Sequence, residues 1–517
     1  MPTETELKLR LSPDCVARLQ RNPLLKSLSI SRPVTQRLYS VYYDTPNFDL
    51  KRHNVALRLR RIGKRWTQAI KGGGSVMAGL HQRDEWEAPV LKAQPDFTKI
   101  TDPTLIKLFS TTDLREQLHP VFTTEFTRST RMMRLIDGAE VMFCLDRGEI
   151  IAGDISLPLC EIELELKSGS PVQLFRLGLE LLHIVPFRLE NASKAERGYL
   201  LYTDKKLPPL KAAPIELDAE MSVSAAFAAI TWNCLNHLHS NETGMLAGRD
   251  IEYLHQMRVA LRRQRSALNI FSRILPNVAF APIRQELKWL TSQFGPARDW
   301  DVFMTETLAP ICTSFPNHPG VVVLQAKCEQ LRHQHNEAAR HAIESIRYVE
   351  SMLQLGAWLS AEAWLGQPDP VATSVKLAKI KARMPVKKFA TTLLAHRHRQ
   401  LNKYGNELTN FNIAELHALR IIVKKQRYTA EFFAGFYPYK ETKRYLRAMF
   451  VLQDILGAMN DTANAKRLLS EVSIAEDKDS QHEAVGIVLG WSASLALLKK
   501  LELQRAWMHF NKIRPFW

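Results

Sequence analysis

The chain has 517 residues, 45% of them hydrophobic, and carries a formal net charge of +17 at pH 7. This length allows two or three domains, and no uninterrupted apolar run approaches about 18 residues, so we expect no membrane span. The basic excess favours an anionic partner but does not choose among nucleic acid, polyphosphate and acidic membrane.

The first residues and the cysteines indicate a cellular compartment. Charged residues begin at Glu4, so the N-terminal segment does not have the apolar core of a secretory signal. The six cysteines show no CxxC spacing, which is typical of reduced thiols. They are Cys15, Cys144, Cys160, Cys234, Cys312 and Cys328. The sequence therefore predicts a cytoplasmic protein.

Composition divides the chain into two halves. Residues 1–203 carry 29 Lys+Arg against 24 Asp+Glu, whereas the remainder carries 41 against 29. Residues 204–219 contain three prolines among lysines and small residues, as linkers do. From about residue 220 the sequence is rich in Ala, Leu, Arg and Gln with helical periodicity. We therefore predict a domain over 1–203, a linker over 204–219 and a helical domain over 220–509.

The first half contains a series of short alternating runs that are typical of strands. They lie at residues 4–11, 36–44, 55–62, 65–71, 81–90, 121–135, 139–146 and 160–167. Ser12-Pro13 and Ser170-Pro171 each place a capping residue before a proline suited to a first helical turn. The predicted class is α+β with many antiparallel strands.

Several of these strands have one ionic and one mostly apolar face, since alternate residues of a strand point to opposite sides. On the first strand Glu4, Glu6 and Lys8 share the ionic face. The same pattern recurs at Arg58/Arg60, at Arg83/Glu85/Glu87 and at Glu161/Glu163/Glu165/Lys167. One such face is usually solvated, but repetition with both signs of charge predicts a closed sheet with an ionic interior.

An ionic interior is suited to a metal and a polyphosphate. Enclosed carboxylates about 7 Å apart repel by roughly 2 kcal/mol per pair at an effective dielectric constant of ~20, so they require cations. Clustered carboxylates suit hard ions such as Mg²⁺ or Mn²⁺. Arginine and lysine suit phosphate oxygens.

These residues resemble the CYTH superfamily, the triphosphate tunnel metalloenzymes, in order and spacing along residues 1–203. Glu4-x-Glu6-x-Lys8 resembles the ExExK hallmark, and Tyr42-Tyr43-Asp44-Thr45-Pro46 the aromatic-x-DTP segment. The remaining matches are Ala56-Leu57-Arg58-Leu59-Arg60, Ile70-Lys71-Gly72, Asp146-x-Gly148, Glu161-Ile162-Glu163-Leu164-Glu165 and Ser193-Lys194-x-x-Arg197-Gly198-Tyr199.

The resemblance implies an eight-stranded antiparallel tunnel that hydrolyses triphosphate groups with a divalent ion. It implies catalytic roles for Glu4, Glu6, Lys8 and Glu85, and phosphate binding by Lys8, Arg58, Arg60, Lys71, Arg128 and Lys194. It implies metal binding by Glu4, Glu6, Asp146, Glu161, Glu163 and Glu165. Glu85 is preferred over Glu87, and Arg128 over Arg131, from their local context. The group that accepts the proton of the attacking water stays open.

The helical half contains an internal repeat. Leu254-His255-Gln256-Met257-Arg258 recurs as Leu416-His417-Ala418-Leu419-Arg420, an offset of 162 residues that also relates Gly295 to Gly457 and Asp299 to Asp461. Each copy carries a basic stripe within about 80° of helical arc. The stripes are His255, Arg258, Arg262 and Arg265, and His417, Arg420, Lys424 and Arg427.

The repeated helices resemble the CHAD domain, which commonly follows CYTH. The resemblance implies two four-helix bundles that bind inorganic polyphosphate through the stripes. Basic clusters at Lys376–Lys388 and His396–Arg399 either extend that surface or are solvated helix. Nucleic acid is the rival partner, but the stripes contain no aromatic residues for base stacking, which disfavours it.

The favoured function is an inorganic triphosphatase that uses Mg²⁺ or Mn²⁺ and binds polyphosphate, without a membrane partner. A thiamine or nucleoside triphosphatase shares the same expected site, and so does a non-catalytic polyphosphate-binding adaptor. The complete carboxylate set argues against the adaptor.

Overall fold

The structure is a computed structural model. It describes residues 3–204, 207–248, 250–272, 280–362, 383–405, 411–472 and 479–517. The chain forms two compact units. Unit one consists of Met1–Pro208 and Glu344–Ala361, and unit two of Pro209–Ile343 and Glu362–Trp517.

Unit one contains a closed antiparallel barrel of eight strands. They are β1 (Thr3–Leu11), β2 (Val34–Asp44), β3 (Val55–Ile62), β4 (Arg65–Met77), β5 (Leu80–Val90), β6 (His119–Arg134), β7 (Glu140–Ala152) and β8 (Ile155–Ser168). Their order is β5-β4-β3-β2-β6-β7-β8-β1, and pairing of β1 with β5 closes the ring. The short β9 (Phe187–Leu189) pairs with the end of β1. The predicted α+β class and eight-stranded tunnel are confirmed.

Of two predicted strands, the one at 139–146 ends too early and the one at 160–167 begins too late. β7 continues past Asp146 to Ala152, and β8 begins at Ile155, so these strands form a long hairpin. The turn between them contains Gly153 with a φ of 58°, a conformation that suits glycine. The polar and apolar residues of this hairpin do not alternate strictly. The periodicity of the sequence therefore does not reveal the full length of β7 and β8.

Seven α-helices lie within residues 3–204 of unit one. They are α1 (Val16–Arg21), α2 (Pro23–Leu28), α3 (Asp49–Arg52), α4 (Pro103–Leu108), α5 (Thr112–Glu116), α6 (Pro171–Ile184) and α7 (Lys194–Thr203). The predicted start at Ser170 is confirmed, because Ser170 and Gln173 form a capping box at the beginning of α6. After Ser12 the chain forms a 3₁₀ turn, Pro13–Cys15, that continues directly into α1.

The apolar residues of β1 point outward, under α6. Leu7 and Leu9 are fully buried there, and the alternation then directs Glu6 and Lys8 into the barrel. A later helix, α14 (Ile346–Ser360), packs on α6 within unit one, although it lies far along the chain. Gly356 of α14 allows the close approach, since a Cβ there would lie 2.4 Å from Cε1 of Phe175.

Unit two is helical in the residues that the structure describes. Its α-helices are α8 (Val223–His239), α9 (Glu242–Leu246), α10 (Ile251–Phe271), α11 (Ala281–Val302), α12 (Ala309–Ser314), α13 (Pro319–Glu344), α15 (Val386–Gly405), α16 (Ile413–Phe432), α17 (Tyr439–Glu471) and α18 (Asp479–Asn511). A π-helical segment, Phe303–Leu308, joins α11 to α12. The repeat is visible in the fold, because α10 and α16 start 162 residues apart and each is followed by a longer helix, α11 or α17.

Three other expectations bear on the fold. Residues 207–219, in the predicted linker, form neither a helix nor a strand, and a turn begins at residue 219. All six cysteines are free. By length and composition one helix among the described residues, α18, is apolar enough to cross a membrane, and 17% of its apolar window is buried. A single such helix is weak evidence for a membrane span.

Candidate functional site

The ionic faces of the barrel strands line one cavity of about 340 Å³. The closed ring brings side chains of both signs together, because inward-facing residues alternate along every strand. Eleven of the predicted tunnel residues line this cavity. They are Glu4, Glu6, Lys8, Arg58, Arg60, Lys71, Glu85, Arg128, Glu163, Glu165 and Lys194.

The lysines of the cavity bridge carboxylates on neighbouring strands. Lys8 Nζ lies 2.8 Å from Glu6 Oε1 and also forms an ion pair with Glu163, its cross-strand neighbour on β8. Lys71 pairs with Glu4 and lies 3.1 Å from Glu85 Oε2. Burial alone would lower the pKa of Lys8, but Glu163 and Glu6 outweigh it and raise the pKa. Lys8 is therefore a permanent cation and cannot serve as a general base.

Arg58 and Arg60 differ in their carboxylate partners. Arg58 contacts Glu85 and Glu87 at 3.3 Å and 3.2 Å. Arg60 has no carboxylate partner among the described residues and donates from Nε to Ser40 Oγ at 3.3 Å. Burial, followed by repulsion from Arg58 and Arg128, lowers the pKa of Arg60 to about 10. This part of the cavity is therefore suited to an anion.

Two predicted metal ligands, Asp146 and Glu161, lie behind the cavity wall and are fully buried. Together with Glu163 they place carboxylate oxygens within 4.8 Å of one another. Lys194 Nζ lies 2.8 Å from Asp146 Oδ2 and 2.8 Å from Glu163 Oε1, and it also pairs with Glu161. Lys194 therefore joins this buried triad to the cavity.

The six predicted metal carboxylates form two groups with opposite electrostatics. Burial alone would raise the pKa of Glu163, but Lys194, Lys8 and Arg128 hold it well below its usual value. Burial raises the pKa of Glu6 against the effect of Lys8, with contributions from Glu163 and Glu4. Burial likewise raises the pKa of Glu165, again with a contribution from Glu4. The buried triad is thus closely surrounded by several cations, whereas Glu4, Glu6 and Glu165 each pair with a single lysine, namely Lys71, Lys8 and Lys167.

The structure also places residues in the site that the sequence prediction omitted. Tyr42 lines the cavity, and Arg58, Arg60 and Lys194 lower its phenol pKa although burial opposes them. Arg197 pairs with Glu161 from behind the cavity wall. Both residues lie in segments that carry the family resemblance, and Tyr42 shares a strand face with Ser40. The alternation of residues along β2 could therefore have identified Tyr42 as a cavity residue.

The structure separates Arg128 from Arg131 by position, but it does not separate Glu85 from Glu87. Arg128 lines the cavity and donates to Asp146 from Nε at 2.7 Å. Arg131, three residues on, lies instead over the ring of Phe143, with 5.8 Å between Cζ and the ring centroid. Glu85 and Glu87 both line the cavity and both contact Arg58, so their positions do not separate their roles.

In unit two the repeated helices α10 and α16 bring basic residues of both stripes close together. Lys424 lies within electrostatic range of Arg420, Arg262 and Arg258. Burial, followed by repulsion from these arginines, lowers the pKa of Lys424 to about 6. The Nε atoms of Arg262 and Arg420 are buried without a hydrogen-bond partner within the described residues. This centre of the stripes is therefore suited to an anion.

The other stripe residues lie in different environments. Burial, followed by repulsion from nearby arginines, lowers the pKa of His255 to about 3, so this ring is neutral at pH 7. His417 Nδ1 lies 3.0 Å from Asn460 Oδ1. Arg265 is exposed, and Arg427 forms an ion pair with Glu431. Of the additional basic clusters, residues 376–382 lie outside the described residues, and Arg397 is buried against Lys425 O at 2.8 Å.

Acidic residues limit the positive charge at the ends of the stripes. Arg258 Nη1 lies 3.4 Å from Asp299 Oδ1, and Arg467 lies 3.0 Å from the other carboxylate oxygen. Burial raises the pKa of Asp461, the equivalent residue in the second copy, against the effect of Arg420. The aspartates shared by the two copies thus lie beside the cationic centre.

Comparisons with known proteins agree with this architecture. A family model of the CYTH domain matches residues 2–199, and one of the CHAD domain matches residues 229–470. The inorganic triphosphatase of Haemophilus influenzae is 33% identical over 206 residues, which are 39% of this chain and 55% of that protein. The chain thus spans about half the length of that relative.

Two further comparisons extend over the helical half. An uncharacterised protein of Mycobacterium tuberculosis is 23% identical over 503 residues, covering 93% of this chain and 91% of that one. The crystal structure of the CHAD domain from the plant Ricinus communis is 32% identical with a TM-score of 0.50, covering 60% of this chain and 99% of that one. Since the two family models together span most of its residues, the chain belongs to the family of proteins that join a CYTH domain to a CHAD domain.

Proposed function

We propose that the barrel hydrolyses inorganic triphosphate to diphosphate and phosphate, and that the helical unit binds inorganic polyphosphate. The observation that carries the first part is the barrel cavity, in which Arg60, without a carboxylate partner among the described residues, lines the same space as Arg58 and the carboxylates Glu4, Glu6 and Glu165. An anion beside the arginines and a cation beside the carboxylates would relieve both repulsions.

The lining supports a substrate without an apolar group. Charged side chains make up most of the cavity wall, and the phenol ring of Tyr42 is buried against Phe122, with ring centroids 4.5 Å apart. Sites for nucleotides usually offer an apolar face to the base. Inorganic triphosphate therefore fits better than thiamine triphosphate or a nucleoside triphosphate.

The carboxylates fit a divalent ion of the Mg²⁺ or Mn²⁺ type, because every donor is a hard oxygen. Glu4, Glu6 and Glu165 are the best-suited ligands, since they face the cavity and burial raises the pKa values of Glu6 and Glu165, an effect that a bound cation would oppose. The buried Asp146, Glu161 and Glu163 are closer to one another, but Lys194, Arg128 and Arg197 already neutralise them. We assign this triad the role of positioning Lys194, with metal binding there as the alternative.

The chain's own groups provide most of the proposed mechanism. Arg58 and Arg60 would bind phosphate oxygens as forks, while Lys8, Lys71, Arg128 and Lys194 add positive charge around the substrate. The phenol of Tyr42 would donate a hydrogen bond to a phosphate oxygen. When bound, a divalent ion would neutralise charge on the transferred phosphoryl group and acidify water. Glu6 and Glu165, whose pKa values are raised, are the best candidates to accept the proton of the attacking water.

Phosphate release separates the candidate activities. The experiment compares tripolyphosphate, thiamine triphosphate and ATP as substrates, each with Mg²⁺, Mn²⁺ or EDTA. We expect metal-dependent release that is fastest from tripolyphosphate. Faster release from either organic substrate would assign the site to it, and release from none would favour a non-catalytic polyphosphate-binding adaptor.

The second part of the proposal rests on the cationic centre of α10 and α16. Burial and its arginine neighbours lower the pKa of Lys424 to about 6, and an anion would stabilise its charged form. Competition between long-chain polyphosphate and duplex DNA tests the choice of partner. We expect polyphosphate to displace DNA from the protein, and preferential retention of DNA would contradict the assignment.

A further inference from the structure

The outward face of α18 is exposed along most of the helix. Val488, Leu503 and Phe510 are fully buried and mark its inner side. At about 100° per residue, the residues opposite them fall within an arc of about 100°. The uncharged centre of this outward face includes Gly486, Gly490, Ser494, Leu497 and Leu501, all of them exposed. An exposed helix face that carries no charge over about four turns usually marks a contact surface.

Small and large residues occupy different halves of the outward face. Gly486, Gly490 and Ser494 recur every four residues in its first half. Leu497 and Leu501 follow in its second half, and they are 70% and 57% exposed. A Cβ added at either glycine would meet no atom within 4 Å, so packing among the described residues does not require glycine there. Glycine disfavours an exposed helix relative to alanine, but small residues let a second helix approach closely. The two glycines therefore form a shallow groove suited to another helix.

Charges of opposite sign bound the outward face at its two ends. Glu483 Oε2 lies 3.2 Å from His318 Nε2, but the Glu483 side chain stays 67% exposed. Arg505 is also exposed. Each of these two residues lies eleven residues from Ser494, one on either side. An antiparallel helix centred on Ser494 would therefore bring Glu483 of one copy beside Arg505 of the other.

We propose that α18 pairs antiparallel with α18 of a second copy of the chain, about a two-fold axis at Ser494. The two leucines of each copy would lie in the groove formed by the glycines of the other. The ion pair between Glu483 and Arg505 would form twice, once at each end. A two-fold axis brings the same surface of both copies together, so small residues must meet large ones and acid must meet base, as they do here.

Shape and charge together decide among the possible occupants of this face. A parallel pair would bring leucine against leucine, and Glu483 against its own copy. An anionic lipid surface would repel Glu483 and gain nothing from the glycines. The antiparallel contact is about 45 Å long and about 10 Å wide, roughly 900 Å² over both copies, near the lower limit of specific interfaces. We therefore expect a reversible dimer with a dissociation constant of roughly 1–100 μM.

Sedimentation equilibrium of the full chain tests the proposal, and we expect a reversible equilibrium between monomer and dimer. E483R and R505E should each weaken the dimer about 2- to 30-fold, because each replaces two exposed ion pairs with contacts between like charges. The double variant E483R/R505E restores both ion pairs in reversed orientation and keeps the wild-type net charge, so it should dimerise like the wild type. A monomeric wild type, unchanged single variants, or no recovery in the double variant would each overturn the proposal.

Disulfide crosslinking tests the position of the two-fold axis. S494C places one thiol of each copy at the axis, within reach of a disulfide. Met508 is 58% exposed on the same face, but the two thiols of M508C would be about 40 Å apart. Oxidised glutathione should crosslink S494C only, with the wild type as the control for the native cysteines. Crosslinking of M508C, as in a parallel pair, or of neither variant would overturn the proposal.

A steric variant separates dimerisation from folding. G490L fills the groove and should leave a monomer, while its free energy of unfolding should not fall, since the site is open in the single chain. A dimer that persists in G490L would contradict the proposed contact. Failure of triphosphate hydrolysis would leave these results unaffected, because α18 contains no tunnel residue.

Discussion

Lys8 and Glu163 are cross-strand partners on β1 and β8, and their buried side chains form an ion pair inside the barrel. Each also has a second partner, Glu6 for Lys8 and Lys194 for Glu163. The cavity is therefore held by a connected network of ion pairs that spans several strands. Removal of one member leaves an uncompensated charge in a poorly solvated site, which is costly.

The first prediction concerns this pair. Lys8→Met should lower the free energy of unfolding by about 3–5 kcal/mol, because it leaves Glu163 and Glu6 with less neutralising charge. The double variant Lys8→Met/Glu163→Gln should lose less than the sum of the two single variants. Urea unfolding of all three variants measures the coupling. Additive losses would contradict the network.

The second prediction concerns Glu165, whose pKa is raised by burial and by Glu4. A carboxylate with a raised pKa stabilises the folded state below its unfolded pKa, and this contribution is lost as pH rises through the folded pKa. Glu165→Gln should therefore increase stability at pH 7 in EDTA, and the gain should vanish near pH 4. Urea unfolding at both pH values tests this.

The same variant tests metal binding without an activity assay. Mg²⁺ or Mn²⁺ should stabilise the wild type against urea, because ligands that bind only the folded state raise its stability. The ion should stabilise Glu165→Gln less. Equal stabilisation of the two proteins would move the metal to the buried Asp146, Glu161 and Glu163.

Periodicity in the sequence predicted a closed sheet with an ionic interior, and the family resemblance implied its eight strands and most of its cavity residues. The ionic faces of β1, β3 and β8 alternate with apolar residues, and such strands can bury both faces only in a closed sheet. The electrostatic difference between Glu165 and Glu163 could not be predicted in this way, since it depends on cations from other strands and from α7. The packing of α14 on α6 was also inaccessible, because an amphipathic pattern marks a buried face and does not name its partner.

The third prediction concerns Lys424, whose pKa is about 6. Bound polyphosphate should raise this pKa, so binding takes up a proton, and affinity should increase as pH falls from 8 towards 6 by at most about tenfold per unit. Lys424→Arg keeps its charge over this range and should flatten the dependence. Lys425→Arg, at the next and exposed position, is the matched control. Calorimetry in two buffers measures the proton uptake, and none in the wild type would contradict the prediction.

The fourth prediction concerns α14. Gly356→Ala should lower the free energy of unfolding by about 1–3 kcal/mol, because its Cβ would overlap Phe175 of α6. Gly490→Ala, in α18, meets no atom within 4 Å and should be neutral or stabilising. The difference between these two helical glycines in thermal or urea unfolding tests the packing of α14 against α6. Equal effects would argue against it.

Phosphate release from tripolyphosphate by wild type and Glu4→Ala, each with Mg²⁺, Mn²⁺ or EDTA, tests the central claim most directly. Glu4 faces the cavity, pairs with Lys71 and belongs to the carboxylates assigned to the ion. We expect release by the wild type that requires the metal, and loss of at least about a hundredfold in Glu4→Ala, the scale of a removed catalytic group. Release that persists in EDTA, or that Glu4→Ala leaves intact, would contradict a metal-dependent triphosphatase in the tunnel.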